Sequence, residues 1–101
     1  MREITTENFE TEVLSSDKLV LIDFWAPWCM PCRIMAPVLE EFATKHGSEV
    51  EVAKVNVDDE PELARRFNVD GIPCFILFKN GKPVRQTVGY QPLSGLESLL
   101  D

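Results

Sequence analysis

Phe24-Trp25-Ala26-Pro27-Trp28-Cys29-Met30-Pro31-Cys32 joins an apolar run, Leu19-Val20-Leu21-Ile22, to an amphipathic stretch that opens near Pro31. Apart from Asp23, the run stays apolar through Trp25, as a strand buried on both faces of a parallel sheet requires. Past it, Met35, Val38, Leu39 and Phe42 recur on one helical stripe, with Arg33, Glu40, Glu41 and Lys45 mostly opposite. Cys29 and Cys32 therefore sit at a strand-to-helix junction, on the carboxyl edge of a sheet, where α/β proteins keep their reactive loops. Two cysteines three apart at such a place read as a redox dithiol rather than a structural staple.

Ile4 supports a very short first strand. Thr5 or Thr6 is expected to cap a helix carrying Phe9, Val13 and Leu14, which ends at Ser15-Ser16-Asp17. The long helix is expected to bend at Pro37, which removes one backbone hydrogen bond, and to stop at Gly47. Val50 to Val57 is a β-branched strand that puts Lys54 on the side of Val50 and Val52. Asp58-Asp59-Glu60-Pro61-Glu62 supplies a capping residue, an early proline and acidic first-turn residues for a short helix through Leu63, Ala64 and Phe67. After the exit at Asn68 to Gly71, Cys74 to Phe78 forms a strand. Asn80-Gly81 turns it back onto Val84 to Val88, and Gly89 breaks that edge strand. Ser94-Gly95-Leu96-Glu97 reads as a capping box for a last helix with Leu93, Leu96, Leu99 and Leu100 inward. This order demands parallel pairing early and antiparallel pairing late, hence an α/β fold with a central mixed sheet and helices on both faces.

The chain has 101 residues, of which 45% are hydrophobic, which suits one domain over 1–101 with a single core. Ten basic against seventeen acidic residues give a net charge of −7, which argues against nucleic acid and anionic membranes as partners. No apolar run is long enough for a bilayer, and Met1-Arg2-Glu3 leads into no signal-peptide core. Three cysteines leave one over if Cys29 and Cys32 join, which suits a reducing compartment; the expected location is the cytoplasm.

Chemistry follows from the junction. With Cys29 at the first helical turn, unsatisfied backbone N–H groups and the helix dipole favour its thiolate, the attacking species. Cys32, one turn later on the same face, lies within the Cα separation a disulfide needs, so it can expel a substrate held in mixed disulfide. Pro31 costs little in the first turn and restrains the loop, so it should tune the redox poise. Asp23 is an isolated carboxylate in an apolar strand, which raises its pKa and suits it to proton transfer near neutrality; Lys54 would pull the other way.

The segment Asp23 to Cys32 resembles the active-site segment of thioredoxins. The likeness runs over nearly the whole chain, through Pro37, Lys54, Gly71-Ile72-Pro73, Phe78-Lys79-Asn80-Gly81 and Val88-Gly89. It implies a thioredoxin fold, a three-layer α/β/α arrangement with a five-stranded mixed sheet and four helices. Also implied is a monomeric protein-disulfide reductase and electron carrier without cofactor, its redox group being an intrinsic Cys29-Cys32 disulfide. By the same resemblance Cys29 is the nucleophile, Cys32 the buried resolving thiol, Asp23 the proton carrier beneath them and Lys54 its electrostatic partner. Trp28, Ile72, Pro73 and Gly89 would form an apolar groove for a client's extended segment, with Pro73 in the cis form. The implied partners are a thioredoxin reductase and disulfide-containing client proteins.

Two positions depart from the usual thioredoxin pattern. Met30 stands where glycine is commonest and bears on reduction potential or partner choice. Cys74 stands where threonine is frequent, and reads as a small inert core residue, the sharper alternative being a third sulfur near the pair. Other readings remain open from the residues: a disulfide oxidant or isomerase using the same dithiol, a non-catalytic interaction module using the same groove, and half of a zinc site. Zinc is disfavoured because His46 is the only histidine. Asp58 to Glu62 reads as a solvated helix start.

Overall fold

At the centre of the computed structural model, which describes residues 1–101, lies the strand Leu19–Trp25 (β2). It pairs in parallel with Val50–Asn56 (β3) and antiparallel with Cys74–Lys79 (β4). A two-residue strand, Arg2–Glu3 (β1), extends the β3 side in parallel, and Lys82–Val88 (β5) extends the β4 side antiparallel. The five strands lie in the order β1-β3-β2-β4-β5. Expected parallel and antiparallel halves therefore meet at β2.

Alternation along β2 divides the core. Val20, Ile22 and Phe24 pack with Phe9, Val13 and Leu63 on one face, while Leu21 packs with Met35, Leu39, Phe42, Leu96 and Leu99 on the other. The first face is covered by a segment at Glu10–Leu14 and by helix Pro61–Arg66 (α1), and the second by helix Met30–His46 (α2) and helix Leu93–Glu97 (α3). Each fully buried Phe contributes on the order of 2–3 kcal/mol by leaving water, so the four such rings, Phe24, Phe42, Phe75 and Phe78, anchor both halves.

Several local expectations are corrected. The first helix is a short π-helical turn, closed by Ser15 N–H to Glu10 C=O at 2.9 Å. Its wider winding still turns Phe9 and Val13 inward and leaves Glu12 to meet Arg2 at 2.6 Å. No side chain from Asp58 or Asp59 caps α1. Glu60 is the N-cap, and its carboxylate instead accepts from Thr6 N–H and Oγ1–H, both at 2.9 Å. Nor does the capping box at Ser94 form: α3 starts one residue earlier, after Pro92, and Glu97 turns to Lys45 and His46. A strong ionic partner across the interface outcompetes the local backbone contact.

Helix α2 runs unbroken through Pro37, whose exposed position leaves the freed carbonyl open to water, and ends at Gly47. The β4–β5 turn has Asn80 at φ 52° and Gly81 at φ 79°, the hairpin geometry expected of Asn-Gly. A Cβ on Gly81 would also come within 2.6 Å of the Leu14 carbonyl oxygen, so only glycine fits. On the exposed edge strand β5, Lys82, Pro83 and Arg85 discourage pairing with another sheet.

Candidate active site

β2 ends at Trp25, and the three residues Ala26, Pro27 and Trp28 carry the chain to Cys29, the N-cap of α2. Cys29 is extended, at φ −83° and ψ 109°, and Pro31 follows in the first turn, where its missing N–H has no helical acceptor to lose. Cys29 and Cys32 form a disulfide with their Cα atoms 5.3 Å apart. The Cys32 amide N–H points at Cys29 Sγ at 3.3 Å, so the helix terminus donates to this sulfur. The two cysteines are about equally buried, 4% and 5% exposed. Exposure does not distinguish them; their places on the helix do.

Ile72 and Pro73 approach from the opposite side. The Ile72–Pro73 peptide bond is cis, and the Ile72 carbonyl oxygen lies 3.8 Å from Cys29 Sγ. The backbone N–H and C=O of Ile72 take no part in any backbone–backbone hydrogen bond. Pro73 C=O accepts from Gly89 N–H at 2.8 Å, and Gly89 has φ +93°, a conformation that favours glycine. The predicted trio Ile72, Pro73 and Gly89 is thereby brought together with Cys29. Trp28 is 69% exposed beside it, and Met30 60% exposed between the cysteines.

Asp23 is the one buried charged residue, 3% exposed, and its Oδ1 has no hydrogen-bond partner. Burial pushes its pKa up to about 7, Lys54 opposes that shift, and Glu3 adds to it. Lys54 pairs with Asp23 across β2 and β3, yet its ammonium lies over the Trp25 ring, 4.2 Å from the centroid, and forms no ion pair with the carboxylate. The expected partnership is therefore one of field rather than contact.

Cys74 is fully buried with Ile76 and Phe78, on the face of the sheet away from Asp23, and its sulfur meets Gln86 Nε2 at 3.5 Å. Burial pushes its thiol up to about 11, which suits the inert reading. No group of three or more His, Cys, Asp or Glu side chains is placed to hold a metal ion. His46 instead sits between Glu49 and Glu97.

The site also holds residues the sequence did not single out. Asp58 Oδ2 accepts from the Trp28 indole Nε1–H at 2.9 Å, so this acid is not simply part of a solvated helix start. Ile34, one turn after Met30, is 57% exposed, and Val88 and Tyr90 beside Gly89 are 52% and 51% exposed. Ile34 carried a signal, being an apolar residue off the buried stripe of its helix; Asp58 carried none.

A disulfide at a helix N-terminus, packed against Ile72, on a mixed sheet layered with helices, defines the class: a thiol–disulfide oxidoreductase whose redox centre is built from its own chain. The family profile described as Thioredoxin matches residues 1–101. A thioredoxin of Alicyclobacillus acidocaldarius subsp. acidocaldarius is 55% identical over 97 residues, covering 96% of this chain and 91% of that one. A thioredoxin of Mycobacterium tuberculosis (strain ATCC 25618 / H37Rv) is 56% identical over 86 residues, 85% of this chain and 74% of its own. A bifunctional thioredoxin reductase/thioredoxin of Mycobacterium leprae (strain TN) is 53% identical over 87 residues, 86% of this chain and 19% of the larger protein. The chain belongs to the thioredoxin family. Its Cys29–Cys32 disulfide is the redox-active group of a protein-disulfide reductase.

Proposed function

We propose that this protein reduces the disulfides of client proteins as a cytoplasmic, monomeric, single-domain electron carrier, and that a thioredoxin reductase restores its dithiol. The observation that carries the division of roles is the N-cap position of Cys29, with the Cys32 amide N–H aimed at its sulfur. Such a donor and the helix dipole favour a thiolate on Cys29. The fused relative, named for both a reductase and a thioredoxin, supports a reductase as electron donor. No helix is long and apolar enough to cross a membrane.

In the first step the Cys29 thiolate attacks one sulfur of a client disulfide. A bond forms between Cys29 Sγ and that sulfur, the client S–S bond breaks, and the departing client thiolate takes a proton. In the second, Cys32 gives its proton to the Asp23 carboxylate and attacks Cys29 Sγ, which closes the Cys29–Cys32 disulfide and expels the second client sulfur as a thiolate, which takes a proton from water. Two electrons pass to the client. With a pKa of about 7, Asp23 exists in both forms near neutrality, as a proton acceptor working there must. Lys54 adjusts that balance from the neighbouring strand. A client's extended segment pairs with the backbone groups of Ile72 and lies against Trp28, Pro73 and Gly89, while Met30 and Pro31 set the partner choice and redox poise of the pair.

The test is insulin reduction driven by NADPH and thioredoxin reductase. Wild type turns over, Cys29→Ser is inert, and Cys32→Ser accumulates a mixed disulfide with the client, seen as added mass. Capture of client by Cys29→Ser through Cys32 would overturn the assignment. Equilibration with a glutathione buffer separates the reductant from an oxidant or isomerase, since a reductant's pair ends oxidised there and an oxidant's ends reduced.

A further inference from the structure

Three charged residues occupy one rung of the sheet. Glu3 of β1 pairs with Lys54 of β3, and Lys54 pairs with Asp23 of β2. In-register neighbours on adjacent strands project to the same face, and the residues flanking Glu3 show which face that is. Ile4 packs with Phe9 and Val13, and Arg2 reaches Glu12 at 2.6 Å, both on the face of the π-helical turn. Glu3 therefore projects to the opposite face, the one that Leu21 and Asp23 share under α2.

Lys54 stands between two carboxylates and forms an ion pair with neither, its ammonium being held over Trp25. The other groups packed near the rung on this face are apolar: Phe75 of β4 is paired with Asp23, and α2 presents Met35, Leu39 and Phe42. Lys54 and Glu3 are thus the two charges that act on Asp23, with opposite signs. Glu3 is exposed at the sheet edge, while the apolar surroundings of Asp23 screen the field between them less than water would.

We propose that Glu3 is a positioning residue for disulfide reduction: its negative charge, two strands from Asp23, holds the Asp23 proton and so sets the pH range over which Asp23 exchanges a proton with Cys32. The inference rests on the reading of Asp23 as the acceptor of the Cys32 proton. Two strand spacings put the Cα atoms of Glu3 and Asp23 about 10 Å apart, which sets the scale of the separation between their carboxylates. At an effective dielectric constant of about 40 to 80, one unit charge at that range is equivalent to about 0.3 to 0.6 pH unit.

The experiment is a carboxyl-carbon NMR titration of Asp23 in wild type, Glu3→Gln and Glu3→Asp, together with the pH dependence of insulin reduction by each reduced protein. Removing the like charge in Glu3→Gln should lower the Asp23 midpoint by that amount at low ionic strength, and the difference should shrink in about 1 M salt. Glu3→Asp should stay near wild type, and the pH–rate profile of Glu3→Gln should move down with the midpoint. A purely structural role for Glu3 would move stability and leave both midpoints where they are. An unmoved Asp23 midpoint in Glu3→Gln overturns the proposal. A moved midpoint with an unmoved rate profile overturns instead the use of the Asp23 proton, and with it the bearing of Glu3 on the reaction.

Discussion

The Trp28 indole N–H donates to Asp58 Oδ2 at 2.9 Å, which ties the loop before α2 to the end of β3, thirty residues away. The ring is 69% exposed, so packing alone does not hold it. Asp58 is itself placed by Asn56, whose Oδ1 accepts from the Asp58 N–H at 3.0 Å. An exposed aromatic beside a disulfide is useful to a client only if its orientation is kept.

Asp58→Ala should therefore free the ring without unfolding the protein. A hydrogen bond to a carboxylate at a surface is worth about 1 kcal/mol, so the expected cost in stability is of that order. The KM for insulin should rise several-fold, and Trp28 side-chain NMR relaxation should report faster motion. An unchanged KM with a mobile ring would remove Trp28 from the client-binding surface.

Asp23 costs stability, and the sign follows from its raised pKa. In the unfolded chain the carboxyl ionises near 3.8, while in the folded protein it holds its proton to about 7. Between those values the folded state binds more protons, so stability falls as pH rises, and the penalty is complete above about 7. Its ceiling is roughly 4 kcal/mol. Asp23→Ala should thus be more stable than wild type by about 2–4 kcal/mol at pH 8 and gain little at pH 3.5. The same variant should reduce insulin more slowly. Urea unfolding at the two pH values checks the first statement; a variant less stable at pH 8 would contradict it.

His46 places both ring nitrogens against carboxylates, Nδ1 to Glu49 at 3.1 Å and Nε2 to Glu97 at 2.8 Å. Carboxylates only accept, so both contacts are hydrogen bonds when the imidazole is protonated. Hydrogen bonds donated to Glu97, then to Glu49, accordingly raise its pKa above 6.5. The stabilisation is full below the unfolded value near 6.5 and is lost as pH rises through the higher folded one. His46→Gln should flatten the fall of Tm over that interval, and the ring proton shifts of wild type should titrate above 6.5.

Cys74 should neither react nor matter to turnover. In the oxidised native protein a thiol reagent should label nothing, and after denaturation it should label one thiol per chain, because Cys74 is wholly buried and its pKa stands at about 11. Cys74→Thr should reduce insulin at the wild-type rate. Labelling of the native oxidised chain would make Cys74 a third reactive sulfur.

Much of this was legible because the signals are local. An unbroken apolar strand, a striped helix and an Asn-Gly turn each owe their form to residues a few positions apart, and all three stand where the chain announces them. Caps were less legible. Ser94 and the acids before Pro61 match capping patterns, but Glu97 and Glu60 found partners from other elements, and a pattern within four residues holds no information about those.

By itself, the sequence determined the dithiol, its junction between strand and helix, and the out-of-place acid at Asp23, since each follows from short-range periodicity and residue chemistry. Tertiary structure alone decided that Asp58 holds Trp28, that Lys54 turns to Trp25 rather than pairing with Asp23, and that Glu3 shares their rung. Those relations depend on which strands become neighbours and in what register, and hydrogen bonding and fields act across that spacing irrespective of separation along the chain.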